Sequence, residues 1–384
     1  MQGLDRDLEA LKDRDLYRTR RELNSPQGPV LEIDGRKVLN FCSNDYLGLA
    51  NDRRLITALQ QAAEQHGVGS GASPLVCGRS SVHADLEQEL ARFTGRDRAL
   101  VFSSGYLANL SLVTSFCPGR DDLIVLDRLC HASLVDGALL ARGTLKRYPH
   151  KDVGALNTML GRSSAKVKLV LTDGVFSMDG DIAPVMDIVD ACKTNQAGLA
   201  LDDAHGFGVL GETGRGTPEL FNLGQEEIPL LMATFGKALG VFGAFIAGAD
   251  TLIEILVQRA RPYIYSTALP PAAAATALTA LAILREEAWR RSALKRLIQQ
   301  FRNGAMQLGL PLLPSETPIQ PLILGAASRA LEVSERLFKL GILITAIRPP
   351  TVPEHTSRLR ISITATHTGQ HIDQLLDALV TAVT

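Results

Sequence analysis

From about Asp52 to Ala249, short apolar runs alternate with segments long enough to be helices. The runs read "ALVF", "LIVL", "VKLVLT", "GLALDD" and "PLLMATF". Such alternation predicts a mostly parallel β-sheet covered by helices, and therefore an α/β fold. Several runs end in Gly, Ser, Asp or His, and open α/β sheets bind ligands beyond the carboxyl ends of their strands. We therefore expect the functional site at that edge of the sheet.

The rest of the chain has a different pattern. The first residues, 1–50, predict a helical arm and short strands, and residues 51–285 form the predicted large domain. From residue 286 a charged helix precedes the strand-like runs "IQPLIL", "GILITAI" and "RLRISITA" and a closing helix. This α+β pattern predicts a smaller C-terminal domain over residues 286–384.

Charge and cysteine usage exclude several classes of function. The 40 basic and 41 acidic side chains balance, so neither nucleic acid nor an anionic membrane is an expected partner. The five cysteines form no C-x-x-C pair, which indicates neither zinc nor a disulfide framework and favours the cytoplasm. The most apolar tract, Leu269 to Leu284, is too short for a membrane span and starts with prolines.

One histidine pair has a spacing that could suit a metal. His367 and His371 stand four residues apart in "HTGQH", but the glutamate of the H-E-x-x-H motif is missing and no third ligand is evident. We expect no metal site and interpret both histidines as solvated surface residues.

Lys237, in "TFGKALG", is delivered to the end of the apolar run that starts at Leu230. A Walker A motif is excluded because Ala238 follows the lysine and position 231 is leucine. The flanking glycines leave space for a flat ligand, and a lysine in such surroundings can react as a nucleophilic amine. A Schiff base would also remove a charge that is costly to bury.

A second strand end, in "GLALDDAHGFG", presents Asp202 and His205. A buried carboxylate needs a partner, which could be a protonated heterocyclic nitrogen or an arginine in a structural ion pair. The same stretch contains "GFGVLG", which formally matches the dinucleotide fingerprint. The sequence that follows lacks the required helix start and the acidic residue after the next strand, so dinucleotide binding is not expected.

Hydroxyl groups and a helix start indicate a phosphate site. In "FSSGYLANL" a strand ends and a helix begins at about Tyr106, where backbone N–H groups and the helix dipole favour an anion. Ser177 and Thr234 also fall at strand ends. His131 follows a further buried strand and could lie against a planar cofactor or be a structural histidine. Together, the phosphate donors, Lys237 and Asp202 describe a pyridoxal 5′-phosphate (PLP) site.

The sequence resembles the α-oxoamine synthases of the fold-type I PLP-dependent enzymes over nearly its whole length. The matching stretches are "FCSNDYLGLA", "LDDAHGFGVLGETGRG", "TFGKALG", "YIYSTALPP" and "AIRPPTVPEHTSRLRIS". The resemblance implies the fold-type I transferase fold, PLP as cofactor and a homodimer. One departure lies in "GSGASPLVCG", where Pro74, Leu75 and Cys77 replace the expected glycine, histidine and serine, so no contact is carried over to that loop.

The resemblance also implies a role for each matching residue. Lys237 would form the Schiff base with the cofactor, Asp202 would pair with its ring nitrogen, His205 would bond its phenolic oxygen and His131 would stack on the ring. The phosphate would be held by Ser177, Thr234, the backbone of Gly105 and Tyr106, and Ser266 of a second subunit. Substrate contacts would come from His131 and from Arg18, Asn44, Thr351 and Arg360.

Periodicity alone leaves one of these assignments open. Arg358 and Arg360 lie on the same face of the "RLRISI" strand, and either could be the carboxylate-binding residue or a solvated side chain. The family pattern favours Arg360.

The activity implied by the resemblance is decarboxylative condensation of L-alanine with a pimeloyl thioester in biotin biosynthesis. The carrier thiol would be coenzyme A or an acyl carrier protein. The alternative is another α-oxoamine synthase, such as one that condenses glycine with an acetyl thioester.

Overall fold

The computed structural model describes residues 3–383, which divide into two compact units. The large unit comprises Asp52–Phe176 and Ile182–Ala288. The small unit comprises the chain up to Asn51, the segment Ser177–Asp181 and the chain from Trp289 onward.

The N-terminal part of the small unit contains a helix and a hairpin. Every side chain of α1 (Leu4–Asp13) lies at the surface or partly exposed, in agreement with its mixed charges. The hairpin pairs β1 (Val30–Ile33) with β2 (Arg36–Asn40) in antiparallel register.

The large unit alternates helices with strands, as the sequence predicts. In chain order its elements are α2 (Arg53–His66), a π-helical turn (Pro74–Gly78), α3 (Ser81–Thr94), β3 (Arg98–Phe102), α4 (Gly105–Phe116), β4 (Leu123–Asp127), α5 (Ala132–Leu140), β5 (Thr144–Tyr148), α6 (Val153–Gly161), β6 (Lys168–Asp173), α7 (Val185–Thr194), β7 (Gly198–Asp202), α8 (Thr217–Leu220), β8 (Leu230–Thr234), β9 (Ala244–Gly248), α9 (Asp250–Arg259), α10 (Arg261–Tyr265) and α11 (Pro271–Glu286).

These strands form one seven-stranded sheet in the order β3-β9-β8-β7-β6-β4-β5. Every pairing is parallel except the two made by β9, so the predicted mostly parallel α/β sheet is confirmed. Two strands of the sheet, β5 and β9, were not predicted from the sequence. The edge strand β5, "TLKRY", is too polar to stand out, and β9, "AFIAG", follows β8 after a short glycine-rich turn.

Both faces of the sheet are covered by apolar side chains, which explains the continuous apolar runs of its strands. On one face Leu112 and Ile253 belong to a buried cluster with strand residues such as Leu126. On the other face Leu156 and Ile188 belong to a second buried cluster, with strand residues such as Val125. A polar side chain in the middle of the inner strands would be buried on either face, so their polar residues are confined to the strand ends, whereas the edge strand β5 has Lys146 and Arg147 in its middle.

The C-terminal part of the small unit has an α+β arrangement. Its elements are α12 (Ala288–Gln307), β10 (Ile319–Gly325), α13 (Ala327–Lys339), β11 (Ile342–Leu343), β12 (Thr345–Ile347), β13 (Ser357–Ser362) and α14 (Gly369–Val383). An antiparallel sheet has the order β10-β13-β12, while β11 joins the N-terminal hairpin by pairing with β2. This pairing joins the N-terminal hairpin to the C-terminal segment within one unit, whereas the sequence suggested separate N-terminal and C-terminal regions.

No helix within residues 3–383 combines the length and apolar character needed to cross a membrane.

Candidate active site

Three neighbouring strands of the large unit deliver polar side chains to the same edge of the sheet. β6 ends at Asp173, β7 at Asp202 and β8 at Thr234. Asp173 and Asp202 face each other in register. Because these strands are parallel, their carboxyl ends coincide, as the alternating sequence pattern requires.

Lys237 and His205 meet at this edge. The lysine lies in the turn after β8, which is closed by a hydrogen bond from Gly240 N–H to the Lys237 carbonyl oxygen (2.9 Å). Its Nζ is 2.8 Å from Nε2 of His205, which lies in the turn after β7 and is buried. The two turns thus place a partly buried amine against an imidazole nitrogen.

Asp202 is buried beside them and accepts two hydrogen bonds. Its Oδ1 accepts from the Ala204 N–H (3.0 Å), and its Oδ2 accepts from Nδ2 of Asn109 (2.7 Å) on α4. Within residues 3–383 no arginine or lysine forms an ion pair with Asp202. The structural ion pair weighed in the sequence analysis is therefore absent from this part of the chain, and the carboxylate can receive a cationic ring nitrogen.

Two further acids near Asp202 have different environments. Burial raises the pKa of Asp173 well above its usual value, and the adjacent Asp202 charge adds to that increase. Burial also raises the pKa of Asp203 to about 7, although its carboxylate accepts hydrogen bonds from the N–H (2.8 Å) and hydroxyl group (2.5 Å) of Thr217. Neither acid was identified from the sequence.

Asp203 also explains glycines of the "DDAHGFGVLGETGRG" stretch. A Cβ added to Gly216 would lie 1.8 Å from a carboxylate oxygen of Asp203, and one added to Gly206 would lie 2.1 Å from the other. These glycines therefore permit close approach to a buried acid. No helix starts within the "GFGVLG" stretch, in agreement with the rejection of a dinucleotide site.

His131 is the N-cap of α5. Its Nδ1 accepts from the Ser133 N–H (3.3 Å) and lies 2.7 Å from the Ser133 hydroxyl, while the His131 backbone N–H donates to Asp173 (3.2 Å). Desolvation lowers the pKa of His131, the Lys237 charge lowers it further, and Asp202 and Asp136 oppose this change.

The predicted phosphate donors are only partly brought together in the large unit. α4 begins at Gly105, and Ser104 caps the Leu107 N–H (3.3 Å), so the N–H groups of Gly105 and Tyr106 have no partner within the helix. A Cβ built on Gly105 would lie 3.7 Å from Cβ of Thr234. The helix start and the end of β8 therefore lie side by side. Ser177 belongs to the small unit instead.

Ser266 caps the C-terminal end of α10 and is partly exposed. The segment after it contacts the loop Gly69 to Gly78, which departs from the family pattern, because the Ala268 N–H donates to the Ala72 carbonyl oxygen (2.9 Å). The Ser70 hydroxyl likewise donates to Leu269 (2.6 Å). The loop forms the π-helical turn Pro74–Gly78.

The small unit contains a second polar cluster around Arg360. The guanidinium donates to the Ser177 carbonyl oxygen (2.6 Å), to Oδ1 of Asn44 (3.1 Å) and to the Ser362 hydroxyl (2.8 Å). Arg358, two residues earlier on β13, forms an ion pair with Asp179 instead. Among the described residues no carboxylate neutralises Arg360, so this buried cation is the one suited to an incoming carboxylate.

The predicted acyl-substrate residues Arg18 and Thr351 are both exposed in the small unit. Thr351 follows Arg348, to whose carbonyl oxygen its N–H donates (3.1 Å). Burial lowers the pKa of Arg348, and the charge of Arg18 lowers it further, so the two cations lie close together. Arg348 was missed by the sequence analysis, although it stands in the recognised "AIRPPTVP" stretch.

The expectation that His367 and His371 are both solvated is wrong for His367. Its ring is buried and stacks on Phe41 with centroids 4.3 Å apart, and its Nε2 lies 3.0 Å from the Asn40 carbonyl oxygen. Burial lowers the pKa of His367 to about 4. The pairing of β2 with β11 was not evident from the sequence, and it is Asn40 at the end of β2 that accepts this hydrogen bond.

The sheet topology and the polar cluster of the large unit are those of a fold-type I PLP-dependent enzyme, and sequence comparison agrees. Residues 36–379 match the aminotransferase class I and II family. The chain belongs to this family and has the fold-type I architecture.

Individual relatives narrow the class. An 8-amino-7-oxononanoate synthase from Cellvibrio japonicus is 54% identical over 94% of this chain and 91% of its own length. A solved 8-amino-7-oxononanoate synthase from Francisella tularensis is 30% identical, with a TM-score of 0.79 over 90% of this chain and 98% of that one. A serine palmitoyltransferase from S. paucimobilis, solved with a bound PLP–myriocin aldimine, is also 30% identical. Its TM-score is 0.93 over 99% of this chain and 96% of that one.

Proposed function

We propose that the chain is a PLP-dependent acyltransferase that condenses L-alanine with a pimeloyl thioester and releases carbon dioxide, the free thiol and 8-amino-7-oxononanoate, a step of biotin biosynthesis. The observation that carries this proposal is the Lys237 amine at 2.8 Å from His205, with the buried Asp202 at the end of the strand that neighbours β8. The extensive identity to 8-amino-7-oxononanoate synthases supports the choice of substrates.

The residues of the large unit fit PLP in their chemistry. Lys237 would hold the aldehyde carbon, His205 the phenolic oxygen and Asp202 the ring nitrogen, while His131 would lie on the ring. When bound, PLP withdraws electrons from the α-carbon of an amino acid. Asp202 serves this purpose because an ionised carboxylate beside the ring nitrogen keeps that nitrogen protonated.

The phosphate would bind at the start of α4. The N–H groups of Gly105 and Tyr106 are left over at the helix start and favour an anion. The Thr234 hydroxyl donates to the Gly243 carbonyl oxygen (2.9 Å) and would turn from it to reach the phosphate. Ser177 and the second subunit's Ser266 complete the proposed donor set on the strength of the family pattern.

Lys237 would also serve as a base when its amine is not bound to the cofactor. An amine freed at this position is a candidate general base for the α-proton of alanine. His205 lies within hydrogen-bonding distance of Nζ and can hold the amine in place.

Arg360 and Asn44 would bind the carboxylate of alanine. The Oδ1 of Asn44 accepts from both Arg360 and the Tyr46 hydroxyl, which directs its Nδ2 donor elsewhere. Arg360 Nη2 has only a long contact of 3.5 Å to the Tyr46 oxygen. A planar guanidinium with an uncommitted nitrogen beside an amide donor matches a carboxylate.

The acyl substrate would contact Arg18 and Thr351, with Arg348 as an additional cation. Two neighbouring guanidinium groups suit the anionic end of a pimeloyl chain or the phosphates of its carrier, which is coenzyme A or an acyl carrier protein.

A homodimer is part of the proposal because Ser266 would act across subunits. The large unit exposes bulky apolar side chains that a partner could cover, namely Val68, Val76, Leu139, Leu140, Phe242 and Tyr265. The free state of all five cysteines supports a cytoplasmic location. Mixing inactive Lys237→Ala protein with Ser266→Ala protein tests the shared site, since one site of each mixed dimer would keep both residues.

The decisive test measures thiol release from two substrate pairs. We expect pimeloyl-CoA with L-alanine to be preferred over acetyl-CoA with glycine, and the amino ketone product to be identified by mass. The reverse preference would assign the chain to another α-oxoamine synthase, the alternative kept from the sequence analysis. Thiol release that does not depend on PLP would refute the proposal.

A further inference from the structure

A hydrogen-bonded bridge connects Asp202 with His131, which were predicted as separate site residues from the sequence. Asn109 on α4 and Ser133 on α5 lie between Asp202 and His131, and both bridging side chains are buried. Asn109 Nδ2 is 2.7 Å from Asp202 Oδ2 and 2.8 Å from Ser133 Oγ, and Ser133 Oγ is 2.7 Å from His131 Nδ1.

The direction of each hydrogen bond follows from chemistry. An ionised Asp202 only accepts, so Asn109 must present its NH₂ group to it. The second hydrogen of that group points to Ser133 Oγ, which therefore accepts. The single hydroxyl hydrogen of Ser133 is left for Nδ1 of His131.

A separate donor gives the same answer for the histidine. The backbone N–H of Ser133 also points to His131 Nδ1 (3.3 Å), and a backbone N–H cannot reverse its role. Nδ1 is thus an acceptor for two donors, and a neutral His131 carries its proton on Nε2. The position of His131 at the N-terminus of α5 disfavours the charged imidazolium as well.

We propose that Asn109 and Ser133 are positioning residues that fix the Asp202 carboxylate and hold His131 neutral with its proton on Nε2. The bridge links the residue assigned to the ring nitrogen with the residue assigned to the ring face. Any contribution of the bridge to turnover rests on the proposed function, whereas the tautomer of His131 is independent of that function.

The charged groups around His131 define what a titration would report. They are Asp202 and Asp136, which favour the imidazolium, and Lys237, which disfavours it. Asp173 accepts from the His131 backbone N–H. Ser133→Ala leaves all of these charges in place and removes the hydroxyl that accepts from Asn109 and donates to His131. A change in the titration is therefore assignable to the bridge.

The test is nuclear magnetic resonance of the purified protein with ¹⁵N-labelled histidine rings. The His131 signals are assigned by their loss in His131→Asn. In the wild-type protein we expect an unprotonated Nδ1 and a protonated Nε2 at neutral pH. In Ser133→Ala we expect the pKa of His131 to rise by about half a unit or more, because the neutral ring loses a donor.

Ser111→Ala is the matched control. Ser111 is a buried serine on α4 whose hydroxyl has no partner among the described residues, so its removal should leave the His131 titration unchanged. A proton on Nδ1 in the wild-type protein, or the same titration in Ser133→Ala and Ser111→Ala, would overturn the proposal. The tautomer itself is read from the wild-type protein, and His131→Asn serves only to assign its signals.

A second measurement tests the Asp202 end of the bridge. Asn109→Leu removes a hydrogen bond to a charged group, and we expect the dissociation constant for PLP to rise about tenfold or more. The comparison is again with Ser111→Ala. Unchanged PLP affinity in a folded Asn109→Leu protein would contradict the role of Asn109. The His131 titration and the PLP dissociation constant are both measured without turnover. A protein that lacks the expected acyltransferase activity would therefore contradict the proposed function and not the bridge.

Discussion

The two polar clusters of this protein are built in opposite ways. In the large unit, Asp202 and Thr234 end neighbouring parallel strands, and His205 and Lys237 follow them by three residues each. In the small unit, Arg360 meets Asn44 and Ser177, which are 316 and 183 residues away along the chain.

The difference lies in what positions each side chain. A strand end and the following turn are local structures, so the large-unit cluster follows once the sheet order is known. The Arg360 cluster depends on contacts between distant segments, each of which carries little signal alone. Substitutions in the two clusters should therefore separate into effects on chemistry and effects on substrate capture.

The largest effect is expected for Lys237→Ala in the large unit. Because the amine would both hold the cofactor and act as base, turnover should fall about 10³-fold or more. Borohydride treatment should fix PLP to Lys237 in the wild-type protein, as located by peptide mass spectrometry. Lys193→Ala, at an exposed ion pair with Glu227, is the control and should keep full activity. Substantial turnover by Lys237→Ala would remove the lysine from both roles.

Asp202→Asn should have the next largest effect. The neutral amide no longer favours a protonated ring nitrogen, so exchange of the α-hydrogen of alanine in deuterated water should slow about 10²-fold. The neighbouring substitution Asp203→Asn is the matched control, since Asp203 bonds Thr217. Equal exchange rates in the two variants would show that position 202 has no special electronic role.

A smaller effect is expected in the small unit and should appear in KM. Arg360→Lys loses the planar pair of donors, so the KM for alanine should rise roughly 10- to 100-fold with a smaller change in kcat. Arg358→Lys should leave that KM nearly unchanged, because Arg358 is occupied by Asp179. Steady-state kinetics at varied alanine concentration compare the pair, and a larger KM change in Arg358→Lys would exchange their roles.

The smallest effect on turnover is expected for Asp203, whose substitution should alter pH-dependent stability. The pKa of its carboxyl in the folded protein, about 7, lies above the usual unfolded value. The folded state therefore binds the extra proton, and this stabilising contribution is present at low pH and is lost as the pH rises towards 7. Asn at this position cannot titrate.

The wild-type free energy of unfolding should accordingly decrease relative to Asp203→Asn by about 2 kcal/mol between pH 5 and pH 8. Urea titrations of both proteins with saturating PLP measure the difference. Parallel pH dependence in the two proteins would mean that Asp203 does not titrate in this range.

Much of the large unit was predictable because its signals are local. The apolar runs gave five strands, and the residues at their ends placed Lys237, Asp202 and His205 at one edge of the sheet. β5 escaped prediction because an edge strand need not be apolar on both faces, and "TLKRY" contains only partly buried or exposed side chains before Tyr148.

Other features could not be predicted because they arise from contacts between distant segments. Asn109 and Ser133 are ordinary helix residues until α4 and α5 meet beside Asp202. His367 has the local sequence of a solvated histidine, yet it stacks on Phe41. In both cases burial of a polar group is made favourable by a hydrogen-bond partner that is remote in sequence.

The sequence by itself determined the α/β class, the main strands of the sheet and the family, and it predicted Lys237 as the lysine that would bind PLP. These follow from hydrophobic periodicity and from residue types at strand ends, which are properties of short segments. Only the tertiary structure showed which of Arg358 and Arg360 has a carboxylate partner, because the two occupy equivalent positions on β13. Asp179 neutralises the first and no described carboxylate neutralises the second, and charge compensation depends on what surrounds a side chain in space.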